Sequence, residues 1–155
     1  MEINIPISLH LEHEELHAEL AKAMAVPGRL GETAQNVARL LDPHFKKEEE
    51  YALPPLGLLP MLAGGKMRPE MRGVLLMTDR LKVELPHMLE EHKAIVAALH
   101  DLIEEARKAR LPNHEHFAEK LTLHARNEEE VLYPAALLVG EYIKIHKRLE
   151  MQARP

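Results

Sequence analysis

The chain has 155 residues, of which 25 are Asp or Glu, 20 are Lys or Arg and 11 are His. This length and the 46% apolar fraction predict a single domain with one buried core. The net charge of -5 argues against nucleic acid or an anionic membrane as a partner. Because the chain has no cysteine, disulfides, iron–sulfur clusters and thiolate metal sites are excluded, and any metal must be held by nitrogen and oxygen.

Apolar residues recur with a helical period along most of the chain, and no alternating run of β-branched residues predicts a strand. Ser8 is predicted to cap a first helix over about residues 9–24, which ends at Pro27-Gly28. The later predicted elements are, in chain order, a helix over about residues 32–51, a long connection over 53–69, helices over about 70–110 and 113–133, and a short tail helix after Pro134.

These elements predict an all-α protein, an antiparallel up-down four-helix bundle. Pro43 and Pro86 lie inside two of the helical patterns, but the apolar stripe keeps its phase across both, so these helices are expected to continue with a kink. The connection over 53–69 is interpreted as a lid, a simple crossover or a dimer contact. With no signal peptide and no apolar run long enough to span a bilayer, we expect a cytoplasmic monomer or homodimer.

The sequence repeats itself. A shift of 80 positions aligns residues 44–54 with 124–134 at five of eleven identical positions, and a shift of 79 aligns residues 12–20 with 91–99. Residues 1–155 are therefore predicted to form one domain built from two similar halves, about 8–56 and 68–137. Such a duplication predicts pseudo-two-fold symmetry across the bundle.

Each half contains a Glu-His pair and, further on, a His-x-x-x-Glu whose two side chains share one helix face. An unpaired buried carboxylate costs several kcal/mol, against a total stability of about 5–15 kcal/mol. No Lys or Arg is predicted beside the inward carboxylates, so a cation explains them best. Iron is favoured, manganese or zinc less so. The predicted metal ligands are His13, His44, Glu48, His92, His124 and Glu128.

Other residues near these motifs have open roles. His10 and His17 are candidates for extra ligands, for donors behind the ligands or for exposed or capping residues, and Tyr51 for a donor to the site or a core residue. Val131 is predicted in the inward stripe with His124. The neighbouring glutamates are expected to be solvated, and the remaining histidines to have no role in the site; these glutamates are Glu49, Glu50, Glu129 and Glu130.

In this order, the Glu-His and His-x-x-x-Glu motifs resemble those of the hemerythrin-like family, the HHE cation-binding domain. The resemblance implies a four-helix bundle around a non-haem di-iron centre with an oxo or hydroxo bridge. It further implies that Glu48 and Glu128 bridge the irons, with the four histidines as terminal ligands. The family's oxygen carriers have two histidines four apart on the third helix, whereas Met88 and Val96 occupy the positions four before and four after His92.

The resemblance therefore implies a protein that interacts with dioxygen, peroxide or a related small molecule, rather than a reversible oxygen carrier. If it is an enzyme, a di-iron oxidoreductase or a peroxide-consuming activity is expected. Two alternatives stay open: a module that senses iron or oxygen or handles iron without turnover, and a structural bundle with adventitious metal.

Overall fold

The computed structural model describes residues 2–153, and within this range the protein is entirely helical, with no β-strand. The predicted all-α class is thereby confirmed. Six α-helices follow one another: α1 (Ile7–Met24), α2 (Arg29–Lys47), α3 (Leu59–Ala63), α4 (Val74–Lys108), α5 (Pro112–Asn127) and α6 (Tyr133–Gln152).

The four helices α1, α2, α4 and α5 form a closed ring of contacts. Helix α1 packs on α2, α2 on α4, α4 on α5, and α5 returns to α1. This arrangement is consistent with a four-helix bundle. The ring encloses one end of the core, whose large apolar side chains include Leu16, Leu20, Val37, Leu41, Ile95, Leu99, Leu102, Phe117 and Leu121.

Prolines mark two of these helices without ending them. Helix α2 continues through Pro43 and α4 through Pro86, as predicted, because residues of the apolar stripe are buried on both sides of each proline. The predicted cap at Ser8 is wrong. Helix α1 already begins at Ile7, with Pro6 preceding it and no side-chain cap, so Ser8 lies within the first turn.

A widened π-helical turn follows α2 over Glu48–Ala52, and another follows α5 over Glu128–Leu132. In the first, the Leu53 N–H bonds to the Glu48 carbonyl five residues earlier, at 2.8 Å. Each turn ends two residues before a proline, whose ring crowds the carbonyl four residues back and favours the wider turn. Compared with a regular α-helix, the extra residue in each turn rotates the following side chains around the helix axis.

The connection over 53–69 is not an open loop. It contains a 3₁₀ helix over Pro54–Leu58 and the short helix α3, and a second 3₁₀ helix, Pro69–Gly73, begins at its end and precedes α4. Gly57 lets the N-terminal segment approach closely, since a Cβ there would collide with the Asn4 carbonyl. The connection therefore packs against the N-terminal segment.

The predicted short tail helix is wrong in length, because α6 has 20 residues. Pro134 is its second residue, directly after the π turn, and no proline interrupts the helix afterwards. Helix α6 packs on α4 where Gly140 meets Thr78, a contact that leaves no room for a Cβ. None of the helices within residues 2–153 is both long and apolar enough to cross a membrane.

Candidate metal centre

The six residues that the sequence predicts as ligands meet inside the bundle. One histidine comes from each of the helices α1, α2, α4 and α5, and one glutamate from the first position of each π turn. All six are nearly inaccessible to solvent, with exposed fractions between 0% and 4%: His13, His44, Glu48, His92, His124 and Glu128.

Their donor atoms form two groups, each with atoms within 4.8 Å of one another. Glu128 belongs to both groups. Glu48 belongs to the first, but its Oε2 lies 3.6 Å from Nε2 of His13 in the second. Two glutamates thus extend between two neighbouring positions that could each hold a metal ion. The first position is surrounded by His44, Glu48, His92 and Glu128, and the second by His13, His124 and Glu128.

Unsatisfied polar atoms indicate that these residues fit a cation. Nε2 of His44 lies 2.8 Å from Nε2 of His92, so two neutral rings would direct lone pairs at each other. A buried polar atom without a partner costs about 1–3 kcal/mol, and more if charged. Among the described residues, six such atoms lie in this cluster: Nε2 of His13, Oε2 of Glu48, Nδ1 and Nε2 of His124, and both carboxylate oxygens of Glu128.

Every one of the four histidines has a second carboxylate on its outer side. Three Nδ1 atoms donate hydrogen bonds: His13 to Glu49 at 3.2 Å, His44 to Glu91 at 2.6 Å and His92 to Glu129 at 2.9 Å. In the fourth case, Nδ1 of His124 lies 3.1 Å from Glu12. Such a carboxylate holds the proton on Nδ1 and leaves Nε2 free to bind a metal.

Sequence reasoning missed these outer carboxylates. Glu49 and Glu129 were expected to be solvated, and they are 40% and 41% exposed, yet each contacts a buried histidine on another helix. Single-helix geometry cannot reveal a contact between helices. The available signal was the repeat itself, which carries Glu12 and Glu91 next to histidines and Glu49 and Glu129 next to the inward glutamates.

The second π turn also changes which residues face the centre. Val131, predicted in the inward stripe, is 53% exposed, whereas Tyr133 is completely buried. The phenol oxygen of Tyr133 lies 3.3 Å from Nε2 of His44 and 3.2 Å from Nε2 of His92, and it donates a hydrogen bond to Glu48. The α-helical period used for the prediction does not hold across this turn, so Tyr133 was missed.

The three auxiliary candidates lie outside both groups of donor atoms. His10 is half-exposed and approaches Glu14 at 3.5 Å, and His17 is half-exposed and approaches Asp42 at 3.8 Å. Tyr51 is buried, but its hydroxyl faces the sulfur of Met88 at 3.7 Å. Its hydroxyl therefore contacts Met88 and not one of the six candidate ligands.

In the absence of metal, the buried histidines and glutamates of the centre shift one another's pKa values. Burial lowers the pKa of His44, but the hydrogen bond and charge of Glu48, with help from Glu91, outweigh it and raise the pKa to about 9. Burial likewise lowers the pKa of His124, but Glu128 raises it to about 9. Burial and the charge of Glu128 raise the pKa of Glu48. Without metal, protons on histidine therefore neutralise the buried carboxylates.

A small cavity of about 10 Å³ adjoins the centre. It has room for about one water-sized molecule. Three imidazoles, one glutamate and several apolar side chains line the cavity. Its lining residues are Leu41, His44, Phe45, His92, Ile95, Leu121, His124, Ala125 and Glu128.

The family model of the Hemerythrin HHE cation binding domain matches residues 7–136, which include all six candidate ligands. No curated protein and no solved structure matches the chain. Because the match covers most of the chain, this protein belongs to the hemerythrin HHE cation-binding family. Metal binding is the function that this family and the buried cluster of histidine and glutamate define.

Proposed function

We propose that the protein holds two iron ions at this centre and interacts there with dioxygen, peroxide or a related small molecule. The observation that carries the proposal is the pair of adjacent donor groups joined by Glu128, with Glu48 turned toward both. Shared carboxylates allow two ions to lie next to each other without excessive repulsion. Imidazole and carboxylate donors without thiolate suit iron, while manganese and zinc are the competing ions.

The protein's own residues bind the ions, orient the ligand atoms and enclose the site. The outer carboxylates hold three of the imidazoles with Nε2 inward, Glu12 lies 3.1 Å from Nδ1 of the fourth, His124, and the π turns place the two glutamates between them. When bound, iron supplies the one-electron redox chemistry that amino-acid side chains lack. Apolar walls from Leu41, Ile95 and Leu121 restrict the adjoining cavity to a small molecule.

We also propose that the bundle is an antiparallel up-down bundle that arose by duplication. Several contacts support this proposal. The contact between Glu12 and His124 corresponds, under the sequence shift, to the one between Glu91 and His44. The contact from Glu49 to His13 corresponds to that from Glu129 to His92. The two π turns are likewise 80 positions apart. The division into halves, about 8–56 and 68–137, stays a prediction.

Metal quantification with optical spectroscopy tests the function. We expect two irons per chain and, in air, near-ultraviolet bands of an oxo-bridged ferric pair. The reduced protein, prepared under argon, should change its spectrum when dioxygen or peroxide is added. A fully folded protein that binds no iron after reconstitution would contradict the proposal.

A matched pair of variants separates the site from the surface. Glu128→Gln removes the shared carboxylate, whereas Glu130→Gln changes an exposed residue two positions further along. Iron binding and the response to dioxygen should be lost only in the first. Peroxide consumption would then identify an enzyme. Oxygen-dependent changes in stability without turnover would instead favour the alternative, an iron- or oxygen-sensing module.

A further inference from the structure

Tyr133 breaks the symmetry of the duplicated centre. The sequence shift of 80 pairs it with Leu53, so only one half places a hydroxyl at this position. Its phenol oxygen lies beside Nε2 of both His44 and His92, at 3.3 and 3.2 Å, and in contact with Glu48. Among the described residues, no tyrosine makes a corresponding hydrogen bond to His13 or His124.

The spacing of the phenol oxygen from the two imidazole nitrogens is that of donors sharing one ion. Neighbouring ligand atoms bound to a metal at about 2.0–2.2 Å lie about 2.8–3.6 Å from each other at octahedral or tetrahedral angles. Nε2 of His44 is 3.2 Å from Oε1 of Glu48, and Nε2 of His92 is 3.3 Å from Oε2 of Glu128. The phenol oxygen of Tyr133 lies at the same distances from the two imidazoles as the carboxylate oxygens do.

We propose that the phenol oxygen of Tyr133 is a protein ligand of the ion held by His44, Glu48 and His92. This inference rests on the proposed function and adds a residue to the site. Binding forms one metal–oxygen bond and releases the phenol proton to solvent. The two ions are then inequivalent, and the ion at His13 and His124 has fewer protein ligands and more room for an exogenous molecule.

The competing role for Tyr133 is that of a hydrogen-bond donor to Glu48, with its proton retained. The two roles differ in a measurable property. A phenolate bound to ferric iron gives a visible charge-transfer band, and excitation in that band enhances the ring vibrations of tyrosine in the resonance Raman spectrum. A protonated phenol that only donates a hydrogen bond gives neither.

The test compares the ferric protein with Tyr133→Phe and Tyr51→Phe. Tyr51 is the matched control, because it is a buried tyrosine close to the site whose hydroxyl faces Met88. We expect the band and the enhanced vibrations in the wild type and in Tyr51→Phe, and their loss in Tyr133→Phe with iron retained. Ring-deuterated tyrosine should shift the vibrations in the wild type and in Tyr51→Phe, where Tyr133 is the buried tyrosine that remains, so the assignment survives if Tyr133→Phe does not fold.

The experiment distinguishes a failure of the assignment to Tyr133 from a failure of the proposed function. An iron-loaded wild type without the phenolate band would overturn the role of Tyr133 and leave the proposed function intact. Persistence of the band in Tyr133→Phe would also overturn it, since another residue would then be the source. A wild type that takes up no iron would contradict the proposed function and this inference together.

Discussion

Nε2 of His44 lies 2.8 Å from Nε2 of His92, a buried contact between α2 and α4. The opposite nitrogen of each ring already donates to a carboxylate, Glu91 or Glu129. Two lone pairs would therefore face each other unless a proton or a cation lies between them. The metal-free and metal-loaded proteins hold positive charge at the same place, so metal binding and protonation compete.

This competition predicts opposite pH dependences for the two forms. The pKa of His44 and that of His124 are raised to about 9 in the metal-free fold, above the ordinary value of 6.5. Their protonation stabilises the metal-free fold fully below pH 6.5, and this stabilisation is lost as the pH rises through about 9. The melting temperature of the metal-free protein should fall across this window.

Metal affinity should rise across the same window, because binding must displace these protons. Calorimetric titrations in buffers with different ionisation enthalpies would measure the protons released. A release that shrinks as the pH increases from 6.5 to 9 is expected. A metal affinity that does not change with pH, or a metal-free protein that becomes more stable toward pH 9, would contradict the competition between metal and protons at these histidines.

Glu128→Gln should lose both ions, since this is the carboxylate common to the two donor groups. Ligand binding stabilises a fold by about 2.7 kcal/mol per site at a free ligand concentration about 100 times Kd. The wild type should therefore gain several kcal/mol of unfolding free energy on adding iron, and the variant none. Denaturant unfolding with and without iron measures this gain. A variant that kept one ion at wild-type affinity would show that Glu128 is not shared.

Glu91→Gln should weaken iron binding by about 10–100-fold, the usual effect of removing a carboxylate behind a histidine ligand. Glutamine at this position can accept the hydrogen bond from Nδ1 of His44 but carries no charge, and the salt bridge with Lys47 is lost as well. The adjacent Glu90 is a matched control, because it is exposed and contacts Lys93. Competition with a chelator gives both affinities, and equal values for the two variants would contradict the role of Glu91.

The sequence was sufficient to predict the four bundle helices and the six inward residues, because both follow from a regular α-helical period. His44 and Glu48 share a face by their spacing alone, and each lies in the apolar stripe of its helix. The family resemblance predicted membership correctly. A regular period cannot predict how the extra residue of a π turn reorients the side chains that follow it.

Tyr133 and Val131 illustrate that limit. The π turn exchanges their orientations, so that the valine is exposed and the tyrosine buried against His44 and His92. Contacts between helices were equally hidden, as with Glu49 and Glu129. A proline at the same distance after both motifs, Pro54 and Pro134, was the available sign that the two turns are alike and irregular.

Filling the small cavity beside the centre should weaken the binding of small molecules without removing iron. Ala125→Val adds two methyl groups to the wall of a cavity of about 10 Å³. Ala118→Val is the control, since Ala118 is buried on the same helix but does not line the cavity. Both substitutions overpack the core at a cost of about 1–3 kcal/mol. Their effects on stability should therefore be similar.

Their effects on ligand binding should differ. Nitric oxide is a suitable probe, because it is a neutral diatomic that binds ferrous iron. Ala125→Val should weaken its binding to the reduced, iron-loaded protein by at least about tenfold, equivalent to about 1.4 kcal/mol. Ala118→Val should leave the affinity unchanged, and iron content should be the same in both. Equal nitric oxide affinities in the two variants would mean that the bound molecule does not occupy the cavity lined by Leu41, Ile95 and Leu121.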